Sequence, residues 1–136
     1  MKVFVFGTCK RGFPLHHGVA VAQFCGEYCT AQPYPMLIAG PWFAPMMFNE
    51  PGVGHHVSGE LYDLDEPSLA RLDAMESIGQ PGNLRIPIEV APLHHGQQCI
   101  AFVYMKSRAL ADPVYTDYLS SYQDRRFIPP KRRGAS

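Results

Sequence analysis

Thirteen prolines and 12 glycines are scattered through the 136 residues and cut the chain into short segments. Proline removes a backbone donor and fixes φ, while glycine loosens the chain, so both interrupt regular structure. Short segments between such residues favour strands and loops over long helices. No internal repeat and no linker divides them, and the chain has the size of one compact domain with its own core. The expectation is a single domain over residues 1–136, with a loose tail from about residue 124.

The segments carry their own periods. Residues 2–6 are rich in Val and Phe and predict a buried first strand. A short helical turn is expected over 14–20 and strand over Phe24–Thr30. Pro33-Tyr34-Pro35 forces an extended approach to Met36–Ala39, and Phe43–Phe48 forms another short apolar piece. Val57–Leu64 alternates most clearly: Val57, Gly59, Leu61 and Asp63 share one face, Ser58, Glu60, Tyr62 and Leu64 the other. Asp65 is then placed to cap a helix, with Pro67 in its first turn. Leu69, Leu72 and Met75 form its apolar stripe, and Glu76 borders that stripe one turn beyond Leu72. Two further strands are expected over Ile86–Val90 and Gln98–Met105, and a last helix over Pro113–Tyr122. The sum is a mixed, mostly β, α+β domain.

Charge narrows the function classes. Only 18% of residues are charged and the formal net charge is zero, which argues against a nucleic-acid footprint. The basic run Lys131-Arg132-Arg133 reads as a solvated tail. No apolar run approaches membrane-spanning length and no apolar leader precedes Lys2. The expected compartment is therefore cytoplasmic, with cysteines 9, 25, 29 and 99 reduced. The spacing of Cys25 and Cys29 is not that of common zinc or redox motifs. The histidine pairs at 16–17, 55–56 and 94–95 alternate faces on a strand and sit beside glycines, so surface turns are preferred to a metal site. No cofactor is required by any of these patterns.

Two places offer chemistry. The first strand breaks into Phe6-Gly7-Thr8-Cys9, where successive backbone N–H groups in a tight turn can hold an anion or oxyanion. Glu76 lies at a helix C-terminus, beside the negative end of the macrodipole and next to apolar neighbours; both raise a carboxyl pKa and suit a general base. Periodicity alone favours an exposed helix-end glutamate, and most glycines after strands only turn the chain. A Cys–His nucleophile built on Cys9 or Cys99 has no local signature, and no serine stands in a G-x-S-x-G context.

Taken together, Phe4-Val5-Phe6-Gly7-Thr8-Cys9, Gly59-Glu60-Leu61-Tyr62, Leu72-Asp73-Ala74-Met75-Glu76 and Pro33-Tyr34-Pro35-Met36-Leu37-Ile38-Ala39-Gly40 resemble the γ-glutamyl cyclotransferase-like (AIG2-like, BtrG-like) superfamily. The last of these, and weakly Arg126–Arg132, resemble its γ-glutamylaminecyclotransferase branch. The resemblance implies a small mixed-strand β-barrel flanked by short helices. It also implies a cofactor-independent, metal-free enzyme that cyclises a small-molecule γ-glutamyl amine such as ε-(γ-glutamyl)-lysine to 5-oxoproline. Glu76 matches the family's catalytic glutamate, and Phe6, Gly7, Thr8 and Cys9 its substrate-binding loop. A monomer or weak dimer is expected. The chain departs from the pattern at Phe6, where the family has Tyr, at Cys9, where it has Leu, and after Glu76, where a Tyr-x-Arg is reduced to Arg85. Two alternatives stand beside this reading: a cyclotransferase for other γ-glutamyl peptides or thiols, and a non-catalytic binding or interaction module that keeps the cavity.

Overall fold

Alternation along the first strand sets the layout of the molecule. In β1 (Lys2–Val5), Phe4 joins a core cluster with Leu61, Val90, Val103 and Met105, while Val3 and Val5 join a second cluster with Leu64, Leu69 and Leu72. One face of the strand thus fills the barrel, and the other is covered by a helix, as period-two geometry requires. The computed structural model describes residues 1–134.

The remaining strands are β2 (Gln23–Thr30), β3 (Met36–Ala39), β4 (Ala44–Met47), β5 (Ser58–Asp63), β6 (Asn83–Pro92) and β7 (Cys99–Lys106). Five of them close into a barrel in the order β1-β5-β2-β6-β7. The pairs within it are antiparallel except β1 with β7, which run parallel through Val3 and Phe102. Closure removes open sheet edges. β3 and β4 form a separate antiparallel pair. The fold is α+β, a small mixed-strand barrel with few short helical pieces, as the resemblance implied.

Gly59 permits the close approach of β5 to β1. A Cβ there would sit 2.4 Å from the Val5 carbonyl oxygen and 2.8 Å from the Phe4 ring. Pro87 lies inside β6 opposite Phe102, in a stretch that pairs with β7 alone, where a missing N–H is tolerated.

The helix α1 (Glu66–Met75) begins as its sequence predicts, with the Asp65 carboxylate accepting from the Ser68 N–H at 2.8 Å. Leu69 and Leu72 are buried, each worth about 1.5–3 kcal/mol of transfer free energy. The helix ends at Met75 in a Schellman motif: Ile78 N–H donates to Asp73 O at 3.0 Å and Ser77 N–H to Ala74 O at 3.1 Å. Ser77 holds the left-handed position usually given to glycine, with φ 57°. His16–Gly18 is a single 3-10 turn, in place of the helical turn expected over 14–20.

The helix expected over Pro113–Tyr122 is absent. That stretch runs extended along β3 instead: Tyr115 N–H donates to Ile38 O, Leu119 N–H to Met36 O, and the Thr116 hydroxyl accepts from Ile38 N–H. The edge of β3 would otherwise bury unpaired backbone groups, and satisfying them outweighs local helix preference. Tyr122 then plugs the barrel core with no exposed surface.

The segment expected to be loose from about residue 124 lies against the body as far as residue 134. Phe127 is 6% exposed, Ile128 N–H donates to Trp42 O at 2.9 Å, and the Arg133 guanidinium rests over Trp42 and Phe127. Residues 135 and 136 lie outside the described residues. Among the described residues, no helix is long and apolar enough to cross a membrane.

Candidate active site

A cavity of about 180 Å³ opens where the loop after β1 meets the end of α1. Its lining includes Phe6, Gly7, Thr8, Cys9, Leu15, Pro45, Met75, Glu76, Tyr104, Lys106, Phe127, Pro130 and Arg133. The four loop residues and the glutamate singled out from the sequence are thus brought to one place.

The loop is tied down through its carbonyls. Gly7 O accepts from Lys10 N–H at 3.0 Å, Thr8 O from Leu15 N–H at 2.9 Å, and Cys9 O from His16 Nδ1 at 2.9 Å. His16 therefore carries its proton on Nδ1 and serves as a loop anchor, not as part of a free surface turn. The Glu60 carboxylate adds two more ties, accepting from Arg11 N–H and from the Tyr62 hydroxyl, each at 3.0 Å. Among the described residues the N–H groups of Gly7, Thr8 and Cys9 have no acceptor. Buried N–H groups are almost always paired, so three in succession beside a cavity are a set of donors that an anion could satisfy.

Gly7 is required by contact and not by backbone angle. It is not among the glycines with positive φ, but a Cβ at this position would stand 2.6 Å from Pro45 Cγ. The β3–β4 pair thus presses on the loop and excludes any side chain there.

Glu76 is placed by the motif that precedes it. Leu72 anchors the helix in the core, 1% exposed. Asp73 accepts from the Arg85 guanidinium and from the Tyr104 hydroxyl, both at 2.6 Å. One carboxylate therefore pins the last helical turn to β6 and to β7. Glu76 is the capping residue, its N–H donating to Leu72 O at 2.9 Å. Loss of water raises the Glu76 pKa above the ordinary carboxylate value, against the lowering pull of Lys106 and of the Cys9 hydrogen bond. No cation stands within salt-bridge distance of it among the described residues. Cys9 Sγ donates to Oε1 at 3.7 Å. Burial foremost, then the charge of Glu76, pushes the Cys9 thiol well up, so it stays a protonated donor.

Sequence reasoning missed Tyr104, Lys106 and Arg133. Tyr104 is 8% exposed, and burial together with its bond to Asp73 holds the phenol protonated. Lys106 Nζ donates to Asn83 Oδ1 at 2.6 Å. Its pKa is lowered chiefly by burial, opposed by Glu76 and reinforced by Arg133. All three lie far along the chain from residues 6–9, on a strand and a tail whose patterns show burial and charge but no function. Arg85, the survivor of the Tyr-x-Arg pattern, supports Asp73 and stacks on Phe102. The segment 33–39, which carries the resemblance to the γ-glutamylaminecyclotransferase branch, stays out of the lining, while Ala44 and Pro45 enter it. Among the described residues no cluster of three His, Cys, Asp or Glu side chains has metal-binding geometry.

A five-stranded closed barrel with a glycine loop facing a half-buried carboxylate defines a class, and comparison with known proteins agrees. The family model for γ-glutamyl cyclotransferase, AIG2-like, matches residues 3–124, and the chain belongs to that family of enzymes. It is 44% identical over 131 residues to the gamma-glutamylaminecyclotransferase of Homo sapiens, covering 83% of this chain and 82% of that one. The crystal structure of an AIG2-like protein from Mus musculus superposes with a TM-score of 0.84 at 34% identity, over 97% of each chain. A putative gamma-glutamylcyclotransferase of Arabidopsis thaliana is 42% identical over 95 residues, 65% of this chain; the match spans about half of that protein's length, 50%.

Proposed function

We propose that this protein is a γ-glutamylamine cyclotransferase that converts a γ-glutamyl amine such as ε-(γ-glutamyl)-lysine into 5-oxoproline and the released amine. The observation that carries the reading is the juxtaposition of a desolvated carboxylate with no cation partner, Glu76, with three consecutive N–H groups that lack acceptors. Glu76 takes a proton from the substrate's α-ammonium. The α-nitrogen then attacks the γ-carbonyl carbon, forming the ring C–N bond. The N–H groups of Gly7, Thr8 and Cys9 receive the developing oxyanion, which fixed dipoles stabilise without reorganising. Glu76 returns its proton to the departing nitrogen as the original amide C–N bond breaks, and the second proton shed by the ring nitrogen is taken up by the released amine, which leaves as an ammonium.

Nucleophile and electrophile belong to one molecule, so the site has to fold the substrate and move protons. Oriented intramolecular attack supplies effective molarities on the order of 10⁵–10⁸ M. A raised carboxyl pKa suits a group that both accepts and donates within one turnover. The replacement of Tyr by Phe6 leaves the cavity with a phenol from another strand, Tyr104, which is engaged with Asp73.

The test is 5-oxoproline release from ε-(γ-glutamyl)-lysine and from a panel of γ-glutamyl dipeptides and glutathione. The expected result is turnover with the isopeptide ahead of the γ-glutamyl dipeptides and glutathione. Binding of these compounds without 5-oxoproline from any of them would instead make the protein a binding module.

A further inference from the structure

We propose that Arg133 is a specificity determinant, binding the carboxylate of an amino-acid leaving group and so selecting γ-glutamyl amines whose amine partner is itself an amino acid. This deepens the cyclotransferase reading and rests on it.

The family model ends at residue 124, yet Phe127, Pro130 and Arg133 line the same cavity as Glu76. Part of the wall therefore comes from chain beyond the matched domain, where differences in selectivity can arise without disturbing the chemistry. Arg133 is held in place from one side only. Its Nε donates to Ile128 O at 2.8 Å, and its plane rests 5.0 Å from the Trp42 ring centroid and 5.4 Å from that of Phe127. Its two terminal nitrogens have no acceptor among the described residues. A guanidinium fixed by stacking, with its fork unoccupied, is suited to bidentate carboxylate binding.

The charges of the cavity also fit. Its lining holds two cations, Lys106 and Arg133, and one carboxylate, Glu76. The lysine isopeptide offers its glutamyl α-ammonium to Glu76 and its two carboxylates to the cations, while its lysyl α-ammonium finds no second carboxylate in the lining. Lys106 stands at the end of β7 in the barrel wall, and Arg133 on the outer segment stacked over Trp42 and Phe127; the proposal sets Lys106 at the glutamyl end and Arg133 at the leaving group.

The experiment compares kcat/KM for ε-(γ-glutamyl)-lysine and for γ-glutamyl-cadaverine, its decarboxylated counterpart, in wild type, Arg133→Met and Arg133→Lys. Wild type should prefer the lysine isopeptide by about 10- to 100-fold, the range for one charge-assisted contact. Arg133→Met should collapse that ratio toward one, mainly through KM for the isopeptide, and Arg133→Lys should retain part of it. Fluorescence of Trp42, the chain's one tryptophan, reports whether the segment stays docked. A mere anchoring role would weaken both substrates equally and leave the ratio intact, and that result overturns the inference while the cyclotransferase reading stands. Absence of 5-oxoproline from both substrates with wild type overturns both.

Discussion

Along the loop after β1, every carbonyl from Gly7 to Cys9 is bonded back into the protein, and the helix that delivers Glu76 is pinned by Asp73 to two strands. The segment 124–134 contributes to the same cavity on other terms: one buried ring, one backbone bond to Trp42 and stacked arginines. The first region has alternatives removed on all sides, as a site for proton transfer requires. The second rests on the surface and can change with little cost to the barrel. On the proposed reading, chemistry and selectivity fall to parts of the chain with different mechanical standing.

The sharpest way to break this comparison is at Glu76. Glu76→Gln should lower 5-oxoproline formation by about 10²–10⁴-fold, the scale of a lost general base. It should not destabilise the fold. A carboxyl whose folded pKa is raised stabilises in its protonated form; that contribution is present below the unfolded value and is lost as pH rises through the folded one. At neutral pH the ionised Glu76 is thus a cost, and a thermal midpoint equal to or above wild type is expected for the variant. For the same reason, the acid limb of kcat/KM against pH, which reports the free enzyme, should lie above the value of an ordinary glutamate, about 4.3. A limb at or below that value would remove the tuned base.

Next in size is Gly7→Ala, whose Cβ meets Pro45. Overpacking of about 1–3 kcal/mol is expected, along with a fall in kcat as the loop shifts. The double variant Gly7→Ala/Pro45→Ala should recover both, measured by chemical denaturation and turnover. No recovery would show that the loop depends on something other than this contact. Tyr104→Phe removes one of the two donors to Asp73 and should cost about 1–3 kcal/mol, with a smaller drop in kcat than at Glu76. Equal loss at the two positions would make the phenol a direct participant. The smallest effect is expected at Ser77. Its left-handed backbone costs an L residue about 1–2 kcal/mol, so Ser77→Gly should gain about 0.5 kcal/mol after the entropy of glycine is counted, read as a shift in denaturation midpoint.

Much of the barrel was legible from local pattern. β5 alternates as its residues do, with Val57 and Leu61 inside and Tyr62 and Leu64 under the helix, and Asp65 caps as expected. Glu76 and residues 6–9 became candidates through the family resemblance, since periodicity alone favoured an exposed helix-end glutamate and an ordinary turn. The stretch 113–122 was not, because its extended form is dictated by the open edge of β3, which local propensity does not express. Tyr104, Lys106 and Arg133 were hidden for a related reason. A tyrosine and a lysine near the end of an alternating strand, and an arginine in a basic run, acquire meaning only when closure of the barrel sets them beside Glu76. The need for glycine at position 7 was not legible either, since it arises from Pro45, distant in sequence.

The most direct test of the account is the rate of 5-oxoproline release from saturating ε-(γ-glutamyl)-lysine by wild type and Glu76→Gln, each with its thermal midpoint. The account predicts steady release by wild type, loss of about 10²–10⁴-fold in the variant, and a midpoint no lower than wild type. A folded Glu76→Gln protein that keeps the wild-type rate would contradict it.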